Sequence, residues 1–93
     1  MNTYYILTYK TKPNFNTIKK PYQAEHLRIM QEHYKKNTLI MAGAVLNPSD
    51  GGMLIFKGDD PSVAENFANN DPYVTNGIIE KWFVRAWQVV IGS

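Results

Sequence analysis

The sequence predicts an α+β protein in which strand-like and helix-like segments follow one another in the order β-α-β-β-α-β. Three observations support this prediction. Four short segments are rich in β-branched and aromatic residues, two other segments have the apolar spacing of helices, and turn-forming residues separate most of them. A four-stranded antiparallel sheet with both helices on one face is the split βαβ, or ferredoxin-like, arrangement.

The four strands are identified by their composition. The first, TYYILTYK, and the last, IIEKWFVRAWQVVI, are rich in β-branched and aromatic residues and contain no breaker. The segments TLIMAGAVL and MLIFKG lie on either side of the turn NPSDGG, and this spacing is typical of an antiparallel hairpin. The predicted strands are residues 3–10, 38–46, 53–58 and 78–91.

The first predicted helix, YQAEHLRIMQEHYKKN, spans residues 22–37. It follows Pro21 and consists mostly of good helix formers. At about 100° per residue, one broad face is expected to face the sheet. That predicted face holds Gln23, Ala24, Leu27, Met30 and Tyr34.

The second predicted helix begins at DDPSVAENFANN. Asp60 is expected to be its N-cap and Pro61 its first helical residue, because a carboxylate accepts from free N–H groups and proline needs no donor there. Its predicted apolar face holds Val63, Ala64, Phe67 and Ala68.

The segment KTKPNFNTIKKP, residues 10–21, is predicted to be a long loop because it contains two prolines and two asparagines. Loops of this length in small domains are often functional or mobile. The segment also holds Lys10, Lys12, Lys19 and Lys20. These lysines are interpreted as a solvated loop rather than a phosphate-binding patch, because the net charge of +2 is too balanced to indicate a nucleic-acid partner.

Composition excludes several classes of protein. The absence of cysteine rules out disulfides, thiolate catalysis and thiolate metal sites. No apolar run is long enough to span a membrane, and the first residues lack the pattern of a signal peptide, so a cytoplasmic location is expected. No repeat or boundary divides the 93 residues, and we predict one domain over residues 1–93.

The aromatic content of 13% is high for so short a chain. Two helices cover only one face of a sheet, and the first and last strands would place many apolar side chains on the other face. An apolar patch of that size usually marks a partner. We therefore predict a homodimer in which two sheets pack face to face, since closed twofold pairs are the commonest assembly.

The two histidines, His26 and His33, both fall on the first predicted helix. Their spacing of seven residues places them on the same side of the helix, at one border of the predicted apolar face, where a histidine is usually a polar edge residue. They are about 10 Å apart along the axis, which is too far to share one metal ion. No metal site is predicted.

The segment NNDPYVTNG, residues 69–77, contains Asp71 followed by Pro72. An aspartate before a proline commonly caps a short helix. The alternative is a carboxylate used in chemistry. One side-chain oxygen is not expected to cap a helix and also orient a histidine, so the direction of the carboxylate separates the two interpretations.

Two further residues are candidates for binding a ligand. Gly43 lies in the middle of a strand, which it weakens, and so indicates a bulge or a close approach to the backbone. Arg85 would pair with a substrate carboxylate if it points into a cleft, and otherwise lies on a solvated face. No nucleophile elbow, phosphate loop or dinucleotide motif is present, so residue spacing permits a His/Asp pair without establishing one.

Over essentially its whole length the chain resembles the YciI-like proteins, the YCII-related domain family. The resemblance rests on several segments in the right order, which are YYILTY, EHLRIM, LIMAGAVL, NNDPYVTNGIIE and VRAWQVVIG. It implies a ferredoxin-like fold paired into a dimeric α+β barrel, with one pocket in each subunit. It also implies a catalytic pair, which by position is His26 and Asp71, with Pro72 and Tyr73 fixing the backbone that aims the carboxylate.

The resemblance implies a small-molecule substrate, because some relatives are dehydrochlorinases of chlorinated hydroxyquinols and the fold is similar to that of muconolactone isomerases. Proton abstraction by His26, oriented by Asp71, would lead to elimination or isomerisation without a cofactor. Gly43, Pro72, Tyr73 and Arg85 are the predicted substrate-binding residues. The alternatives are a non-catalytic metabolite-binding module and a dimeric structural protein.

Two positions depart from the family pattern. Relatives often carry an arginine three residues before the histidine, where this chain has Gln23, and many have Gly-Pro where it has Gly43 followed by Ala44. A glutamine cannot supply the fixed positive charge of an arginine. The substrate, or the affinity for it, is therefore expected to differ from that of those relatives.

Overall fold

The computed structural model describes residues 2–92, and its four strands form one antiparallel sheet. The strands are β1 (Asn2–Thr11), β2 (Leu39–Val45), β3 (Gly51–Lys57) and β4 (Ile79–Val89). Their order across the sheet is β2-β3-β1-β4. The two strands nearest the middle are therefore the first and third of the chain, as in a ferredoxin-like sheet, and the predicted fold class is confirmed.

Two main helices pack on one face of this sheet. They are α2 (Gln23–Lys35) and α3 (Ser62–Asn70). Three shorter elements complete the helical layer, namely α1 (Phe15–Ile18), a 3-10 turn (Lys20–Tyr22) and α4 (Pro72–Thr75). No helix within residues 2–92 is long and apolar enough to cross a membrane.

The core lies between the helices and the inner face of the sheet. Side chains alternate along β1, so that Leu7 and Tyr9 are buried under the helices while Ile6 and Thr8 point to the other face. The buried cluster contains Leu7, Tyr9, Leu39, Leu54, Phe56, Ala64, Phe67, Ala68, Tyr73, Ile78 and Ile79. Burial of each large apolar side chain contributes about 1.5–3 kcal/mol to the free energy of folding. This cluster is therefore the main source of stability between the helices and the sheet.

The predicted loop over residues 10–21 is wrong in part. Strand β1 continues to Thr11 through its pairing with β4, and the remainder contains α1 and the 3-10 turn. The apolar side chains Phe15 and Ile18 pack against the core from α1. Pro21 lies in the first positions of the 3-10 turn, where a backbone N–H would have no partner within the turn. The lack of an N–H in proline is therefore compatible with this short helical element.

Helix α3 begins one residue later than predicted, at Ser62, with Pro61 in the N-cap position. The capping contact itself is present, because the carboxylate of Asp60 accepts a hydrogen bond of 2.8 Å from the Ser62 N–H. Hydrogen bonds from Ser62 lower the pKa of Asp60. The Asp-Pro pair therefore starts the helix as expected, displaced by one position.

The face of α2 that packs against the sheet is rotated from the predicted one, although Met30 packs against the core as expected. Leu27 and Tyr34 are 44% and 62% exposed, whereas His26 is buried. Ile29 and His33 are partly buried on the same side as His26. The prediction of the two histidines as polar edge residues is wrong, since they lie on the inward face.

His33 occupies this inward face as a structural residue. Its Nδ1 lies 3.0 Å from the Thr38 hydroxyl, which itself donates to the His33 carbonyl. The imidazole ring packs edge-on against Phe56 and Phe67. Burial, and then the charge of Lys36, lower the pKa of His33, which favours a neutral ring in this position.

The opposite face of the sheet carries no helix. Antiparallel partners point to the same side, so the pairing of Ile6 with Arg85 places Arg85 on this uncovered face. We call it the open face. Its exposed large apolar side chains are Met41, Val45, Met53, Phe83 and Trp87.

Candidate active site

Asp71 connects helices α3 and α4. Its backbone is extended, with φ −73° and ψ 126°, and so ends α3. Pro72 follows at the start of α4, and the Tyr73 N–H donates a hydrogen bond of 3.0 Å to the Asp71 Oδ1 atom. The capping interpretation of the Asp-Pro pair is therefore correct.

The same carboxylate also contacts His26. The His26 Nδ1 lies 2.9 Å from both Asp71 oxygens, so Oδ1 serves the helix cap and the histidine together. The expectation that one oxygen would not do both is wrong. The physical reason is that a carboxylate offers about four lone-pair directions, enough for several donors that approach from different sides.

The third partner of the carboxylate is Tyr9, whose hydroxyl donates to the Asp71 Oδ2 atom over 2.7 Å. Asp71 is completely buried, and a buried carboxylate without partners would cost several kcal/mol. Burial first, and then the adjacent carboxylate, raise the pKa of the Tyr9 hydroxyl well above its ordinary value. Tyr9 is therefore a hydrogen-bond donor at neutral pH.

These contacts determine which nitrogen of His26 carries a proton. With Tyr9 and Tyr73 both donating to it, the carboxylate acts as an acceptor, and the His26 Nδ1–H is its third donor. The Nε2 atom is then unprotonated in the neutral ring. No buried side-chain polar atom of residues 2–92 lacks a partner, and Nε2 forms no hydrogen bond there, so Nε2 is an accessible atom of a residue that lines the cavity.

Aromatic contacts hold the imidazole in this orientation. The His26 ring stacks on the ring of Tyr73, with 3.9 Å between centroids and 14° between planes. Phe15 lies edge-on to the Tyr73 ring, with 5.3 Å between the two centroids. Burial, and then the charge of Asp71, raise the pKa of Tyr73, which keeps its hydroxyl protonated beside the histidine.

His26 forms part of the wall of a cavity of about 230 Å³ between α1, α2, α4 and the sheet. Most of the lining is apolar, and its polar side chains include Thr11, Lys19 and Gln23. An apolar cavity of about 150 Å³ is enough to hold benzene. This cavity therefore has room for a molecule with a single substituted ring.

The other predicted binding residues are placed differently. Gly43 and Tyr73 line the cavity, whereas Pro72 acts on the backbone that aims Asp71. Arg85 lies on the open face, on the side of the sheet away from His26, so the structure does not bring it to the cavity. Side chains alternate between the two faces along β4. Val84 pairs with Leu7 of the core, so the next side chain, that of Arg85, points to the open face.

A close approach of two backbone segments occurs at Gly51 and not at Gly43, and the approach of a ligand to Gly43 stays a prediction. A Cβ atom at Gly43 would meet nothing within 4 Å, whereas one at Gly51 would collide with the Tyr9 carbonyl oxygen. Gly51 therefore permits the tight pairing of β3 with β1 beside the residue that holds Asp71. Nothing in the described structure requires glycine at position 43.

Sequence reasoning missed Tyr9, Phe15 and Lys19 as residues of the site. Tyr9 is on the inner face of β1 by simple alternation from Leu7, and a buried tyrosine hydroxyl generally needs a partner. That signal was present in the sequence. In contrast, Phe15 and Lys19 reach the cavity only because residues 15–22 fold into short helical turns.

No cluster of three metal-ligating side chains occurs in the described part of the chain. His26 and Asp71 contact each other directly, with an ordinary hydrogen-bond length between them. The chemistry available at this site is therefore that of an oriented imidazole beside a partly apolar cavity.

Tyr9→Phe tests the role of the hydroxyl in holding the buried carboxylate. We expect the free energy of unfolding to fall by about 1.5–3 kcal/mol, because a hydrogen bond to a charged group is lost. The measurement is chemical denaturation. Tyr5→Phe is the matched control on the same strand, because the Tyr5 hydroxyl makes only an exposed contact of 3.4 Å, and it should change stability by less than about 0.5 kcal/mol. Equal effects of the two substitutions would contradict the assignment.

Two solved structures are similar to this fold. The first is 5-chloro-2-hydroxyhydroquinone dehydrochlorinase (TftG) from Burkholderia phenoliruptrix AC1100, in complex with 2,5-dihydroxybenzoquinone. It has a TM-score of 0.78 and 19% identity, over 91% of this chain and 93% of that one. The second is a candidate antibiotic biosynthesis monooxygenase from Deinococcus radiodurans. Its TM-score is 0.56 with 10% identity, over 98% and 95% of the two chains.

At these identities the two structures support the fold alone. Comparison with curated proteins gives no match. The sequence profile of the YCII-related domain matches residues 3–88, which is most of the chain and includes every residue of the His26–Asp71–Tyr9 network. The chain therefore belongs to the YCII-related domain family.

Proposed function

We propose that this protein is a small-molecule enzyme in which His26 is a general base and Asp71 is the residue that orients it. The observation that carries the proposal is the contact of 2.9 Å between the His26 Nδ1 and the buried Asp71 carboxylate. This contact leaves Nε2 as a proton acceptor at the cavity. Such an arrangement typically contributes about 10²- to 10⁴-fold to a proton transfer.

In the proposed reaction, Nε2 takes a proton from a carbon next to a carbonyl group or from a phenol of the substrate. The Asp71 carboxylate stabilises the imidazolium that forms. In an elimination, the electron pair left on the substrate expels an anion such as chloride, and His26 later releases the proton to water. In an isomerisation, His26 returns the proton at a different atom. Neither route uses a metal or an organic cofactor.

The proposed substrate is a small cyclic or aromatic compound. The volume of the cavity and its largely apolar lining suit one ring with a few polar substituents. The structurally similar TftG is a dehydrochlorinase and was crystallised with a single-ring quinone, which supports the same class of ligand here. Gly43 and Tyr73 would contact such a ring, since both line the cavity.

We also propose that the chain, with residues 1–93 as one domain, forms a homodimer through the open face. Five large apolar side chains are exposed there, and a patch of this kind usually marks an interface. A second copy is the simplest partner because a twofold pair covers both open faces at once. The cytoplasmic location stays a prediction.

Light scattering tests the dimer. We expect twice the mass of one chain at tens of micromolar for the wild type, and one chain mass for Trp87→Glu, which places a charge on the open face. Tyr34→Glu changes an exposed aromatic residue on the helical side and should leave the dimer intact. A monomeric wild type would contradict the proposal.

Activity is tested with a panel of chlorinated hydroxyquinols, including 5-chloro-2-hydroxyhydroquinone, and small unsaturated lactones. The readouts are chloride release and the change in ultraviolet absorbance. We expect turnover of at least one compound by the wild type and a loss of about 10²-fold or more in His26→Ala, because the proton acceptor is removed.

His33→Asn is the matched control, since it changes the other histidine of the same helix and keeps a polar group near Thr38. It should retain turnover, and circular dichroism should show that both variants fold. Equal activity of His26→Ala and the wild type would contradict the assignment of the base. Binding without turnover of any compound would favour the metabolite-binding alternative.

A further inference from the structure

Lys19 differs from every other basic side chain in residues 2–92. It is partly buried, whereas the remaining nine lysines and arginines are exposed. It also forms no ion pair in the described part of the chain, in contrast to Lys10, Arg28 and Lys36. A lysine can pack its apolar stem and keep its ammonium group accessible, so Lys19 combines a partly buried side chain with a charge that no anion of the described residues neutralises.

The position of Lys19 is fixed by its backbone and its side chain. Its N–H donates to the Phe15 carbonyl and its own carbonyl accepts from the Tyr22 N–H, each over 2.9 Å. Its ammonium group lies 5.2 Å from the centroid of the Phe15 ring. A cation over a ring face still has N–H groups free to donate, so this contact positions the charge without using all of its hydrogen-bonding capacity.

Among the described residues, none that lines the cavity with Lys19 has an acidic side chain. Its other polar side chains, which include Thr11, Gln23 and His26, are neutral groups when the imidazole is unprotonated. The Asp71 carboxylate lies behind the imidazole, with its oxygens occupied by hydrogen bonds. The one permanent charge among the described residues of the wall is therefore positive, and it would attract an anionic group of a ligand.

Three separations connect this charge with the candidate base. The Lys19 ammonium lies 5.2 Å from the centroid of the Phe15 ring. The Phe15 and Tyr73 centroids are 5.3 Å apart, and the Tyr73 and His26 centroids are 3.9 Å apart. Together they limit the distance from the ammonium to the His26 ring to about 14 Å. After a hydrogen bond of about 3 Å is allowed for at each end, the remaining gap is at most about 8 Å, a limit consistent with the length of a single ring that carries one anionic substituent.

We propose that Lys19 is a substrate-binding residue that selects single-ring ligands carrying an anionic oxygen, as a carboxylate or an ionised hydroxyl group. This inference rests on the proposed function, because it places the ligand in the cavity of His26. Lys19 binds the anionic oxygen of the ligand, and the opposite edge of the ligand ring lies against the Nε2 atom of His26. The ligand class is thereby narrowed from small rings in general to anionic ones.

Benzoate and benzamide are suitable probes, because they have nearly the same shape and differ in charge. Binding is measured by NMR titration of the backbone amides of Phe15 and Gln23. We expect the wild type to bind benzoate about tenfold more tightly than benzamide, as is typical of a charge-assisted hydrogen bond in a partly dry site. High salt should reduce this preference.

Lys19→Met removes the charge and keeps the apolar stem. We expect benzoate binding to weaken about tenfold while benzamide binding is unchanged, so that the preference disappears. Lys20→Met is the matched control, since it makes the same charge change at the neighbouring exposed position, and it should keep the preference. An equal effect of Lys19→Met on both probes, or a wild type without preference for benzoate, would overturn the inference.

The result is separate from that of the activity test. Loss of the benzoate preference in Lys19→Met, together with no turnover in the panel, would support the anion site and contradict the enzyme. Turnover that depends on His26, without any effect of Lys19 on anion binding, would support the enzyme and contradict the anion site.

Discussion

The structure depends on a single buried carboxylate. Asp71 has no exposed surface, and its two oxygens accept hydrogen bonds from β1, α2 and α4 through Tyr9, His26 and the backbone of Tyr73. Each donor belongs to a different element, so the need to satisfy one charge fixes the positions of all three relative to one another. Removal of any one donor leaves the carboxylate short of a partner in the core.

This constraint makes the site asymmetric. Because Asp71 holds the Nδ1 side of His26, the Nε2 side is the one directed at the cavity, and stacking on Tyr73 prevents the ring from turning. At the other end of the same aromatic chain, Lys19 supplies a positive charge over Phe15. A ligand between them would meet a proton acceptor at one end and a cation at the other, and the cation would stabilise the negative charge that proton abstraction leaves on the ligand.

Much of the fold could be predicted from the sequence, because turn residues and β-rich segments give the order of the elements directly. The face of α2 that packs against the sheet could not be predicted in this way. Leu27 and Tyr34 are apolar, and the pattern therefore assigns them to the inward face, but both are exposed. His26 and His33 are polar, and the pattern does not assign them to that face, but both lie inward. Their burial depends on partners distant in sequence, such as Asp71 and Phe67, which no local pattern contains.

The residues of the candidate site also differ in whether a local sequence pattern indicates them. His26 and Asp71 were named through the resemblance to a family, since residue spacing alone allowed the pair without establishing it. The two alternatives for Arg85, a cleft or a solvated face, can be separated by counting along β4, because strand alternation is a local property and places this side chain on the open face. The position of Lys19 required the folding of residues 15–22, where two prolines and two asparagines in the wider segment indicated a loop.

The central claim is that Asp71 fixes the tautomer of His26, and ¹⁵N NMR of the imidazole tests it most directly. A His33→Asn background leaves His26 as the sole histidine, so its two ring nitrogens can be assigned without overlap. At a pH where the ring is neutral, the account predicts a protonated Nδ1 and an unprotonated Nε2, and loss of this preference in Asp71→Asn. A protonated Nε2 with Asp71 present, or the same tautomer in both proteins, would contradict it.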